Sequence, residues 1–93
     1  MIKSFRDRET RCIALGEYSS RFPVQIQHRA KMCLDKLRAM ESVSELQSFQ
    51  SLRLKKLRGN RKGQFSIRVN RQYRVCFEWV EGYAVNVELT DYH

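Results

Sequence analysis

Nine of the eighteen Lys and Arg residues of this 93-residue chain lie between Arg53 and Arg74, and no Asp or Glu occurs from Leu46 through Phe77. Cations crowded together without local counter-charge suit a polyanion, because guanidinium forks and ammonium groups bind phosphate or carboxylate oxygens with charge-assisted hydrogen bonds. The net charge of +8 and the isoelectric point near 9.9 point the same way, to a nucleic-acid or acidic-protein partner. Groups able to move a proton at neutral pH are scarce. The two histidines are His28 and His93. His28 falls among the polar positions of an amphipathic segment and reads as a solvated side chain, and His93, taken alone, reads as a frayed terminus. Cys12, Cys33 and Cys76 sit inside apolar patterns without CxxC or Cys/His spacing, so they read as reduced packing thiols, suited to the cytoplasm. The same spacing argues against zinc, and no metal or other cofactor is expected. No apolar run is long enough for a signal peptide or membrane helix, so no membrane partner is expected.

These cations need elements to position them, and the sequence around them alternates with period two. Phe65, Ile67 and Val69 alternate with Ser66, Arg68 and Asn70; Tyr73, Val75, Phe77 and Trp79 alternate with Arg74, Cys76 and Glu78. This pattern predicts two half-buried antiparallel strands. A loop of Asn70-Arg71-Gln72 keeps both apolar sets on one face, pairing Val69 with Tyr73 and Ile67 with Val75. Arg68 then lies opposite Arg74 on the polar face. Like charges so placed repel, and either the two side chains splay into water or a polyanion lies between them. Glycine third in Val80-Glu81-Gly82 predicts a second hairpin that pairs Trp79 with Tyr83, Phe77 with Val85 and Val75 with Val87, and sets Glu88 opposite Arg74.

Upstream, residues 1–6 form a short strand, and DRETRCIALG a helix stopped by Gly16. Pro23 suits the first turn of a helix over Val24–Met40, whose Ile26, Ala30, Cys33, Leu37 and Met40 recur at spacings of three and four. Ser42 and Glu45 match a capping box ahead of Leu46, and residues 53–58 read as a basic strand with a bulge, followed by the turn Gly59–Gly63. The fold class is α+β in the order β-α-α-β-β-β. Residues 1–93 form one domain in which helices cover one face of a curved antiparallel sheet and the other face is open and basic. Phe65, Ile67, Val75, Phe77 and Val85 are expected to meet Ile26, Cys33 and Leu37 in the core.

The start MIKSF, the segment LRGNRKGQFSIRVNRQYRVCFEW and the terminal DYH together resemble the HigB family of bacterial toxins, within the RelE/ParE superfamily, along the whole chain. The resemblance implies a RelE-like fold and a ribosome-dependent endoribonuclease of a type II toxin–antitoxin system. Such an enzyme cuts mRNA in the ribosomal A site, inhibits translation, and is neutralised by a helix-turn-helix antitoxin similar to HigA. It implies Arg74, Arg58, Asp91 and His93 as catalytic residues, and Tyr92, Arg61, Lys62, Arg68, Arg71, Lys55 and Lys56 as RNA contacts. The ribosome, with its mRNA and rRNA, is the implied target. The family's Lys-Gly before Asp-Arg-x-Gly corresponds here to Arg58-Gly59 before Asn60-Arg61-Lys62-Gly63. Arginine preserves charge but does not readily lose a proton, which favours phosphate binding over proton transfer at that position. Two other readings stand beside this one: a ParE-like toxin acting on DNA gyrase, and a non-catalytic basic module that binds RNA or the ribosome.

Overall fold

The computed structural model describes residues 1–91. Three helices, α1 (Arg8–Ala14), α2 (Val24–Ala39) and α3 (Val43–Gln47), pack with an antiparallel meander of β1 (Lys55–Lys56), β2 (Phe65–Arg68), β3 (Tyr73–Val80) and β4 (Tyr83–Asp91). The α+β class is as expected, with a third short helix where the Ser42–Glu45 signal lies. Asp7 caps α1 by accepting from the Thr10 amide at 2.7 Å, and Gly16 follows its end at φ 83°. The first turn of α2 begins at Val24 and leaves Pro23 at the cap, with extended ψ of 138°. Neither bond of the capping box forms at α3. Glu45 reaches back to the Glu41 amide, while the Ser42 hydroxyl meets Ser44.

One core joins the layers. Ala30, Cys33, Leu34 and Leu37 of α2 meet Ile67, Val75, Phe77, Val87 and Leu89 of the sheet, with Ile13, Leu46 and Leu52 closing the sides. Buried polar bonds fix the helices against the sheet. The Thr10 hydroxyl, fully buried, accepts from the Leu89 amide at 2.9 Å and ties α1 to β4. Gln27 of α2 donates to the carbonyls of Ser19 and Phe22 and so holds the α1–α2 loop.

The β2–β3 register matches the expectation, with Phe65 opposite Phe77, Ile67 opposite Val75, and Arg68 opposite Arg74. Asn70 shapes the connection as an Asx turn, its Oδ1 accepting from the amides of Gln72 and Tyr73.

The second hairpin departs from the expected register. Val80 pairs with Tyr83 across a two-residue turn in which Glu81 (φ 49°) and Gly82 (φ 86°) are both left-handed. That is a type I′ turn, whose twist matches that of the strands. It would put every later apolar residue of β4 on the wrong face, and a bulge corrects this. Asn86, left-handed at φ 53°, and Val87 together oppose Phe77, and beyond them Glu88 faces Cys76, Leu89 faces Val75 and Thr90 faces Arg74. Val85 therefore pairs with Glu78 and stays outside the core, while Ala84, Val87 and Leu89 enter it.

Two predicted strands shrink. The N-terminal segment makes only single parallel bridges, Ile2 to Ala84 and Phe5 to Val87, along the outer edge of β4. Residues 53–58 reduce to the two residues of β1, because a 3-10 turn at Gln50–Leu52 and a left-handed Arg53 (φ 45°) occupy the approach.

Candidate active site

The polar face of the sheet is less open than the alternation implied. Ser66, Arg74 and Cys76 are all buried, Arg74 at 7% exposure. Arg74 owes its position to three hydrogen bonds from two nitrogens. Nε donates to Ser66 Oγ at 2.7 Å, and Nη2 donates to the Ser66 carbonyl at 3.3 Å and to the Arg53 carbonyl. The left-handed turn at Arg53 brings that carbonyl to the guanidinium, so β1's approach, β2 and β3 converge on one side chain. The acceptors in these three bonds are neutral oxygens that orient the guanidinium.

Arg68 is half-buried beside Arg74, and its Nε donates at 3.1 Å to the Asn70 carbonyl. The two guanidinium groups are thus directed by separate backbone oxygens, an answer to their cross-strand repulsion that needs neither full exposure nor a bound anion. β4 ends at Asp91, opposite Tyr73 and so next to Arg74 in β3; Gln72 Nε2 donates to its carboxylate at 2.8 Å. Tyr92 and His93, expected as an RNA contact and a catalytic residue, lie outside the described residues.

Arg58 occupies a different cluster. It shares a groove of about 300 Å³ with Lys56, Lys62, Leu57, Gly59 and Gly63, formed where the 3-10 turn Gly59–Arg61 bends the chain between β1 and β2. Arg58, Lys56 and Lys62 are exposed there, as is Lys55 on the same strand and Arg71 in the β2–β3 loop. Arg61 differs from its neighbours. Its Nη1 donates to Glu88 at 3.1 Å and to Gln64 at 3.1 Å, so its charge is largely committed within the fold. Glu88, expected beside Arg74, is instead the partner of Arg61, because the two-residue turn and the bulge together carried it two residues along β3, opposite Cys76.

Burial raises the thiol pKa of Cys76, against the lowering pull of the neighbouring Arg61, and burial likewise raises that of Cys33. Neither is an activated nucleophile. Ser66 and the Arg53 carbonyl escaped sequence reasoning as parts of this site. The hydroxyl sits in an alternating strand where any polar residue satisfies the pattern, and a left-handed arginine has no sequence signal.

This geometry can hold phosphate oxygens at Arg74, Arg68 and the Arg58 groove. A family model described as the RelE-like toxin of type II toxin–antitoxin system HigB matches residues 3–93. Toxin HigB-1 of Vibrio cholerae serotype O1 is 42% identical over 67 residues, which cover 72% of this chain and 70% of that protein. Endoribonuclease HigB of Proteus vulgaris is 30% identical over an alignment of 95 positions that covers 100% of both chains.

Proposed function

The chain belongs to the HigB-like toxins of type II toxin–antitoxin systems, and from that premise we propose that it is a ribosome-dependent endoribonuclease that cleaves mRNA in the A site and thereby inhibits translation. The observation that carries the proposal is the built position of Arg74, a buried guanidinium aimed by Ser66 and Arg53, in a chain whose full-length relative from Proteus vulgaris is named an endoribonuclease. Cleavage without a metal requires the ribose 2′-hydroxyl to attack the adjacent phosphate. The attacking oxygen loses its proton, negative charge grows on the phosphorane oxygens, and the departing 5′ oxygen takes up a proton. Arg74 meets that growing charge with fixed donors, which is worth most when the donors need no reorganisation. Arg58 supplies a second cation from its groove. In this mechanism His93 is the general acid and Tyr92 stacks on a base. Lys55, Lys56, Lys62, Arg68 and Arg71 bind RNA phosphates, with Arg61 contributing through its place beside Glu88.

The residues assigned here include no second histidine to act as base. An enzyme so equipped depends on the ribosome to align the 2′-hydroxyl for attack. As a toxin of this class it has an antitoxin partner; we assign that role to a helix-turn-helix protein similar to HigA. Mapping mRNA 5′ ends after adding the protein to translating ribosomes tests the reading. Cuts within A-site codons are expected, whereas gyrase-linked DNA breaks or ribosome binding without cuts would overturn it.

A further inference from the structure

β1 pairs only with Phe65 and Ser66, so the outer edge of β2 has no strand partner at Arg68. The Arg68 carbonyl is met there by the Cys33 thiol at 3.5 Å, and α2 and the 3-10 turn Gln50–Leu52 stand on either side of a cavity of about 390 Å³. Its walls include His28, Arg29 and Lys36 of α2, Ser51 and Leu52 of the turn, and Arg68. The carboxylate of α2, Asp35, is already shared by Lys31 at 2.9 Å and Arg38 at 3.3 Å. Arg29 and Lys36 make no ion pair among the described residues, and Ser51, Leu52 and Arg68 come from the stretch free of Asp and Glu. Arg29 and Lys36 lie two helical turns apart, about 10 Å along one face. Lys36 is held with its ammonium 5.2 Å from the Phe49 ring centre.

We infer that this cavity is a second anion site that takes backbone phosphates of the RNA, contacted by Arg29, Lys36 and Arg68. Arg68 belongs to both the cavity and the cross-strand pair with Arg74, so the cationic surface is continuous from the sheet face around the β2 edge onto α2. Charges that recur along one backbone match such a continuous row, whereas an isolated acidic side chain of a protein partner would use only part of it. The choice of RNA as the polyanion rests on the endoribonuclease reading; the anion site itself does not.

The test measures binding of a fully 2′-O-methylated RNA 12-mer, which cannot be cleaved, by fluorescence anisotropy across a salt series. The Arg29→Ala/Lys36→Ala double variant is expected to bind at least tenfold more weakly at low salt. Its slope of log affinity against log salt should be shallower by about 1.4, the value for two released phosphate contacts on a single strand. Arg8→Ala/Lys3→Ala removes the same charge away from the cavity and should retain the wild-type slope. A double variant with the wild-type slope, or a control that loses as much, would overturn the inference. So would loss of antitoxin binding with RNA binding unchanged, which would make the cavity a protein dock. Ribosome-dependent cleavage by the wild type is assayed in parallel: a protein that shows the slope change yet never cleaves refutes the nuclease reading and keeps the anion site.

Discussion

Arg74 is bonded within the fold and, in the proposed mechanism, also meets the phosphate charge, and the two roles can be separated by substitution. Truncation to Ala strips partners from the buried Ser66 Oγ and Ser66 carbonyl and from the part-buried Arg53 carbonyl. Such unmet groups cost about 1–3 kcal/mol each. Arg74→Ala is therefore expected to lower the melting temperature as well as the cleavage rate. Ser66→Ala is the sharper probe, since it leaves the charge in place and removes one orienting acceptor. It should slow ribosome-dependent cleavage while KM changes little, and Ser66→Thr should restore part of the rate. Loss of transition-state charge stabilisation by Arg74 itself corresponds to about a hundredfold in kcat; a variant that cleaves at the wild-type rate removes Arg74 from the mechanism. At the terminus, deleting His93 or replacing it with Gln is expected to abolish cleavage yet leave the melting temperature and antitoxin binding unchanged. A fully active deletion variant would return His93 to a merely terminal role.

At the scale of elements, the β3–β4 hairpin accommodates one extra residue. The type I′ turn sets one register and the Asn86 bulge another, and the bulge amide is satisfied by the Ser4 hydroxyl at 2.9 Å, while the Asn86 side chain donates to Glu78 at 2.9 Å. Deleting Asn86 would remove the bulge and leave Val87 opposite Phe77 and Leu89 opposite Val75 in an unbroken ladder, and the expected result is a chain that still unfolds cooperatively in a urea titration. Asn86→Gly keeps the left-handed backbone and should fold, losing about 1 kcal/mol with its side-chain bond. Buried thiols supply a second check. Burial raises the pKa of Cys33 and Cys76 above the ordinary value of 9.0. Above pH 9 the unfolded chain ionises its thiols before the native state does, so these groups contribute a stability that falls as pH rises. In the folded protein at neutral pH a thiol reagent should modify the half-exposed Cys12 first and leave Cys33 and Cys76 until unfolding.

For the whole molecule, charge and compactness act separately. The excess of eight positive charges is carried on the α2 face, the β1 turn and the sheet edge, while the core of α2 against β2, β3 and β4 is apolar. Co-expression of an adjacent small helix-turn-helix protein is expected to restore growth that the toxin alone arrests. If every such neighbour fails to bind, the proposed form of antitoxin is wrong.

Period-two alternation from Phe65 to Trp79 determined two strands and their register, because any slip would expose Ile67 and Val75. Spacings of three and four determined α2, and Asp7 and Gly16 the bounds of α1, since capping and helical faces are local properties. The whole-chain motifs were enough to point to the family. Tertiary structure decided what local patterns leave degenerate. Val80-Glu81-Gly82 permits either a two- or a three-residue turn, and the choice was made by burial of Ala84, Val87 and Leu89 together with the N-terminal residues that bridge to β4. It also decided that Arg74 is buried rather than solvated. Alternation assigns a side chain to a face, but only packing by the Arg53 turn, distant in sequence, determines whether that face meets water.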